Sequence, residues 1–224
     1  MDKEFAGKVV LVTGAAGALG RVIADRFRQA GATVLAFDRV AAPGIREVDL
    51  GHAPAAKKAI DTAVAEAGRL DVVCNVAGGF TMGEAGEALA SGNDWRAMFD
   101  ANVATLLGSV AATVPHLKRS KGAMVNVGAA SALSGKGQMG AYTAAKSVVI
   151  RMTETLASEL REHGVNVNCV LPSIIDTPAN RRDMPKADPK RWVAPEDLAD
   201  VMMFLASSRA RAMHGAAVPV VGLS

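Results

Sequence analysis

The chain has 224 residues, 50% hydrophobic and 21% charged, with a formal net charge of +3. That length and balance predict one globular domain able to bury a substantial core. Basic residues occur in short runs such as "KRSK" (118–121) and "NRR" (180–182), and aromatics make up only 4%, which excludes a massed nucleic-acid face and a stacking platform for single strands.

The two cysteines, Cys74 and Cys169, lie inside apolar runs and read as buried thiols of a reducing compartment. The four histidines show no metal-ligand spacing. The N-terminal "MDKEFAGK" is charged and runs straight into a strand, unlike a signal peptide, and no apolar run is read as long enough to span a bilayer. A cytoplasmic protein with neither membrane nor nucleic-acid partners is expected.

In chain order, apolar runs with β-branched residues predict strands at "KVVLVTG" (8–14), "ATVLAFD" (32–38), "IREVDL" (45–50), "LDVVCNVAG" (70–78), "GAMVNVGA" (122–129), "GVNVNCVLP" (164–172) and "AAVPVVG" (216–222). Their continuous apolar character suits a parallel sheet covered on both faces. Helical stripes fall between them: Leu19, Ile23, Phe27 and Ala30 over 19–30; Phe99, Val103, Leu106, Val110 and Leu117 over 94–118; Ala145, Val149, Met152, Leu156 and Leu160 over 142–162. "APEDLADVMMFLASS" opens with Pro195 and two acids, a helix start. Such alternation predicts a doubly wound α/β sheet of about seven strands in a single domain over 1–224. One crossover is too short for a helix: only "RVAAPGIREV" separates Asp38 from Asp49, so a loop is expected between strands 2 and 3.

"VVLVTGAAGALGRVIADRF" reads as a strand, a glycine-rich turn and a helix. Gly14, Gly17 and Gly20 allow a tight turn and close backbone approach, and the helix N-terminus offers free N–H groups to a pyrophosphate. Asp38, ending the next strand, can accept both ribose hydroxyls of an adenosine and repel a 2′-phosphate, although the adjacent Arg39 could meet such a phosphate. The bland alternative is a glycine-rich turn with no ligand.

Tyr142 is the only tyrosine, and Lys146 follows one helical turn later on the same face. A phenol and an ammonium held there can share a small molecule, the ammonium lowering the phenol's pKa towards neutrality. Alone, a Y-x-x-x-K spacing is more often a surface pair without chemistry.

Five motifs in order decide between these readings: "TGAAGALG" at the first turn, "CNVAGG" after the fourth strand, Asn102 in "DANVATLLG", Tyr142 with Lys146, and "LPSIIDTP" after the sixth strand. Together they resemble the short-chain dehydrogenase/reductase family over essentially the whole chain. The resemblance implies a Rossmann-type fold and hydride transfer between a nicotinamide cofactor and a small-molecule substrate. It makes Tyr142 the acid/base, Lys146 the residue that binds the nicotinamide ribose and activates the tyrosine, and Asn102 part of a proton relay; a polar plug in a helix kink, bonded through a water, is compatible with that role. The cofactor-binding set it implies is Gly14, Ala16, Gly17, Leu19, Gly20, Asp38, Arg39, Asp49, Leu50, Ala77, Gly78, Tyr142, Lys146, Pro172, Ile175 and Thr177, with NAD(H) preferred and NADP(H) possible. No metal is implied.

The departures carry information. Ala18 and Val76 stand where glycine and asparagine are common, and Ser173 replaces a glycine after Pro172. The family sets a serine thirteen residues before the tyrosine, and that position is Ala129; Ser131 and Ser134 are out of register. The missing hydroxyl removes a donor that would polarise a ketone oxygen. The alanine, the shortened second crossover, the "VAGG" turn and "LPSIIDTPANRRDMPKAD" (171–188) are similar to the dihydropteridine reductase-like branch, although Asn102 fits the wider family better. The branch implies a quinonoid dihydropterin or conjugated imine as acceptor. The enzymatic alternatives are a general carbonyl or 3-oxoacyl reductase, or an alcohol dehydrogenase of the same family. A nucleotide-sensing binding protein is the alternative from another class, and the intact Tyr142, Lys146 and Asn102 argue against it. Arg181, Arg182 and Trp192 suggest a polar lid over an anionic ligand, with solvated charge as the plainer explanation. The helices over 94–118 and 142–162 are apolar over more than one stripe; relatives pair these helices, which implies a homodimer or homotetramer, with deeper burial within one subunit as the plainer alternative.

Overall fold

The central apolar runs become strands covered on both faces, while the two edge strands stay partly or wholly exposed. The computed structural model describes residues 3–224, apart from the side chains at 88, 90, 91 and 93; the first two residues of the charged N-terminal stretch thus lie outside it. Seven strands, β1 (Val9–Thr13), β2 (Thr33–Asp38), β3 (Arg46–Glu47), β4 (Val72–Asn75), β5 (Ala123–Val127), β6 (Asn166–Pro172) and β7 (Ala217–Val220), form one sheet. Its order is β3-β2-β1-β4-β5-β6-β7, and every pairing is parallel. Strand order reverses between β1 and β4, so a crevice opens at their C-terminal ends, where open α/β sheets bind ligands.

Alternation along β1 divides the core. Val10 and Val12 point to one face, with Ile23 and Phe27 of α1 (Ala18–Gln29) and Leu198 and Met202 of α8 (Pro195–Ala206). Leu11 points to the other, with Ile60 of α2 (Ala53–Ala67), Leu106 and Leu117 of α5 (Thr105–Ser120), and Leu156 of α6 (Gly140–Leu160). Three short helices complete the set: α3 (Ala85–Ser91), α4 (Asn93–Phe99) and α7 (Pro178–Asp183).

The crossover from β2 to β3 is a loop, as its length requires. β3 is shorter than the run 45–50: Arg46 and Glu47, both exposed, pair only with Phe37 and Asp38 at the sheet edge. The stripe over 94–118 is not one regular helix, because a π-helical turn, Asp100–Ala104, joins α4 to α5. One expectation needs correcting. The continuous helical stretch Asp94–Ser120 is 27 residues and, by length and composition, apolar enough to cross a membrane. Its Leu106, Val110, Ala112 and Leu117 are buried in the core beneath the sheet, which makes it a core helix of this fold.

Candidate active site

The glycine-rich turn lies at the strand-order reversal. Gly14 adopts φ +67, and a Cβ there would come within 2.8 Å of the Ala77 backbone, so the β1 turn and the β4 turn approach as only glycine permits. Thr13 ties them together, its hydroxyl oxygen accepting from the N–H groups of Val76 and Ala77, each at 3.0 Å. Gly17 caps α1 without a side-chain bond, and the first turn holds no acid. The first N–H groups of the helix, at Ala18, Leu19 and Gly20, are therefore left for an anion. Ala18 is exposed at this end, so its methyl group has room where the usual glycine would stand. The Asp38 carboxylate is fixed beside the turn, Oδ2 accepting from Ala16 N–H at 2.9 Å and Oδ1 from Val40 N–H at 3.1 Å. Each oxygen keeps a lone pair for a ribose hydroxyl. Arg39 is exposed, and Asp49 Oδ1 accepts from Gly51 N–H at 2.9 Å beside the buried Leu50.

The second half of the site forms around Gly78. A Cβ at that position would sit 2.6 Å from Asn102 Oδ1 and 3.3 Å from Lys146 Nζ, so the bare glycine leaves room for both side chains beside the loop. Asn102 lies in the π-helical turn and is buried. Its Nδ2 donates to Met98 O and Gly79 O, each at 3.0 Å, and its Oδ1 accepts from Gly79 N–H at 3.2 Å. The side chain thus plugs the kink directly, without an intervening water, and clamps the loop carrying Gly78. Lys146 Nζ donates to Val127 O at 2.8 Å, and Tyr142 precedes it on the first turns of α6. Phe80, 56% exposed, sets its ring edge-to-face against Tyr142 with centroids 4.8 Å apart.

Ala129 is buried in extended backbone just after β5, and Ser131 lies in the 3₁₀ turn that follows, Ala130–Leu133. Beyond Pro172, Asn180 Nδ2 donates to Ile175 O at 2.7 Å, and Thr177 caps α7, its hydroxyl oxygen accepting from Asn180 N–H at 3.2 Å. Ser173 donates to Val221 O at 2.8 Å, fastening this segment to the C-terminal end of the chain. The polar lid needs revision. Arg181 is engaged by Asp176 in a fork of 2.6 and 2.7 Å, and Trp192 is buried, only 7% exposed. Arg182 is exposed, 3.6 Å from Asp183. Charge pairing and core packing occupy these residues, in line with the plainer explanation.

In the cofactor-free protein, burial and not the ammonium governs the phenol. Burial pushes Tyr142 up to about 12. Burial also pushes Lys146 down to about 8, with the nearby Cys169 acting weakly the other way. With Nζ turned to the Val127 carbonyl, desolvation outweighs any help from lysine to tyrosine.

Stability in alkali should report this burial. Between about pH 8 and the ordinary lysine value of 10.5, the unfolded chain holds the Lys146 proton and the folded chain does not; stability therefore rises with pH there. The buried thiols oppose it: Cys169 moves from 9.0 up to about 11 and Cys74 is raised further. Above pH 9.0 the unfolded chain loses those protons first, and above 10.0 the tyrosine proton as well, so stability then falls. Urea unfolding of the cofactor-free protein should show a gain from pH 8 to 9 and a loss beyond, and Lys146→Met should abolish the gain. A profile already falling from pH 8 would mean that Lys146 is solvated.

Two side chains at the site carried no sequence expectation. Thr13 could have been found, since it directly precedes the first glycine; Phe80 follows "VAGG" but its contact with Tyr142 is purely tertiary.

A parallel sheet with a glycine-built cradle, a strand-end carboxylate and a Tyr–Lys–Asn cluster at the strand-order reversal defines a dinucleotide-binding protein of Rossmann type. The short chain dehydrogenase profile matches residues 8–188, and the chain belongs to that family of nicotinamide-dependent oxidoreductases. It is 34% identical to meso-2,3-butanediol dehydrogenase of Serratia marcescens, covering 98% of this chain and 95% of that protein. It is 30% identical to 3-oxoacyl-(acyl-carrier-protein) reductase of Thermotoga maritima, over 96% and 97%. Among solved structures, carveol dehydrogenase from Mycobacterium avium in complex with NAD superposes with a TM-score of 0.89 at 27% identity, over 98% of both chains.

Proposed function

We propose that the protein transfers a hydride between NAD(H) and a small conjugated acceptor of the quinonoid dihydropterin or cyclic imine kind. The observation that carries this reading is Ala129, a buried methyl where an oxygen-polarising hydroxyl would otherwise stand. The cradle fits the cofactor: the α1 N-terminus is free of acids and has no side-chain cap, which leaves its first N–H groups for an anion. When bound, the nicotinamide supplies the hydride. Leu19 and Gly20 hold the pyrophosphate over the turn that Gly14, Ala16 and Gly17 shape, Asp38 the adenosine ribose, Asp49 and Leu50 the adenine end, and Ala77 and Gly78 the nicotinamide side. Pro172, Ile175 and Thr177 position the carboxamide. Tyr142 passes the proton, Lys146 holds the nicotinamide ribose, and Asn102 orders the relay behind it. Exposed apolar Leu107 on α5 supports pairing of α5 and α6 into a homodimer or homotetramer, and a cytoplasmic location suits two reduced, buried cysteines.

Initial rates with NADH on quinonoid dihydropterin and on small ketones, side by side, test the reading. Efficient ketone reduction with the pterin ignored would overturn it. The second reading, a small-alcohol dehydrogenase or carbonyl reductase, is favoured by the 34% identity to a butanediol dehydrogenase, and that outcome would establish it.

NAD(H) is preferred over NADP(H) because the Asp38 carboxylate would face a 2′-phosphate. Fluorescence titration should give the tighter dissociation constant for NADH, and Asp38→Ala should narrow the gap, chiefly by strengthening NADPH. Tighter NADPH binding by the parent protein would mean that exposed Arg39 governs the site.

A further inference from the structure

We propose that a cavity at the opposite end of the sheet from Tyr142 binds a small phosphate-bearing metabolite. The candidate active site gathers where strands end; this cavity, about 420 Å³, is lined by residues where strands begin, including Lys8 before β1, Asp71 before β4, Gly122 before β5 and Gly164 before β6. Its volume is in the range of small-molecule sites, ~300–1,000 Å³.

Charge decides what such a cavity would take. Its two acids are already neutralised: Asp71 is engaged by Lys8 at 3.3 Å and Arg69 at 2.6 Å, and Glu4 by Arg209 at 3.1 Å. Three further lining cations, Lys121, Arg161 and Arg211, have no acidic partner among the described residues. The plain explanation is that cations collect at helix C-termini, and α5, α6 and α8 all end here, Ala206 itself being in the lining. Each such terminus carries about half a negative charge, so three of them account for about one and a half of the three cations and still leave an excess.

The walls also show construction. Lys121, the left-handed cap of α5 at φ +52, is one of two non-glycine residues with positive φ among the described residues, and its stem lies across Gly164, where a Cβ would be 3.4 to 3.5 Å from its Cβ, Cγ and Cδ. Those are ordinary contact distances, so the lysine stem packs along the wall beside Gly164, itself a left-handed cap at φ +71. His214 lines the same cavity, and its Nδ1 is buried with no hydrogen-bond partner. Two guanidinium groups and an ammonium suit a multiply charged oxyanion, which guanidinium forks bind in a bidentate manner.

The test is titration of pyrophosphate into the full protein, saturated with NADH and in a parallel series with NADPH so that the glycine-rich cradle is occupied. Ionic strength is held constant with chloride. Saturable binding of one pyrophosphate per chain is expected, weakened about tenfold or more, equivalent to ~1.4 kcal/mol, by combined Arg161→Ala and Arg211→Ala, and several-fold by Lys121→Ala. Cofactor affinity should be unchanged in all of them, which also reports that they fold. Arg182→Ala, an exposed charge that does not line this cavity, should leave pyrophosphate binding as it was. Absence of saturable binding, an unaltered double variant, or an equal loss in Arg182→Ala would each overturn the proposal.

Discussion

Tyr142→Phe should lower turnover by ~10²- to 10⁴-fold, the usual contribution of a positioned acid or base, while dinucleotide affinity stays within a few-fold of the parent. The ring's edge-to-face contact with Phe80 survives the change, so the variant keeps its packing and loses only the proton. Burial holds the phenol at about 12, so at neutral pH it is protonated and poised to donate, the state that reduction needs. Oxidation of an alcohol would need the tyrosinate, and its rate should climb with pH well past neutrality while reduction does not. Lys146→Ala should lose activity and also weaken cofactor binding, because its ammonium is proposed to hold the ribose. Near-full activity in Tyr142→Phe, measured by initial rates at saturating NADH, would show that solvent supplies the proton and that the lone tyrosine only packs.

Local patterns made much of this molecule legible. "KVVLVTG" and its counterparts are apolar at successive positions because their strands are buried on both faces, and this is visible without tertiary knowledge. The missing second helix followed from chain length alone, since "RVAAPGIREV" cannot hold one. The π-helical turn was hidden because the apolar spacing of Phe99, Val103 and Leu106 suits an ordinary helix, and one extra residue in a turn leaves no mark on it. The shift of Tyr142 was hidden for another reason. Spacing puts an ammonium near a phenol, but the sign of the net effect depends on how far both are buried and on where Nζ is directed, here the Val127 carbonyl. Arg181 and Trp192 misled in the same way, one paired with Asp176 and the other buried.

Ala129→Ser should raise the reduction of aliphatic ketones, by up to the ~10²- to 10³-fold that one oxyanion donor typically supplies, and should change the reduction of quinonoid dihydropterin little. A ketone concentrates developing negative charge on one oxygen, which needs a fixed donor. A quinonoid ring spreads that charge over conjugated atoms and reacts with the Tyr142 proton alone. The site around Tyr142 agrees with a flat, apolar acceptor: Phe80 is 56% exposed and touches the phenol ring. Position 129 has extended backbone at φ −159 and ψ 143, which serine adopts without strain, so the variant should fold as the parent does. Loss of cofactor binding in the variant would signal a disturbed site rather than altered chemistry, so NADH affinity must be measured alongside. If the parent already reduces ketones well and the added hydroxyl changes nothing, another group polarises the oxygen. Ala129 would then not restrict the substrate, and the small-alcohol reading would stand in place of the conjugated acceptor.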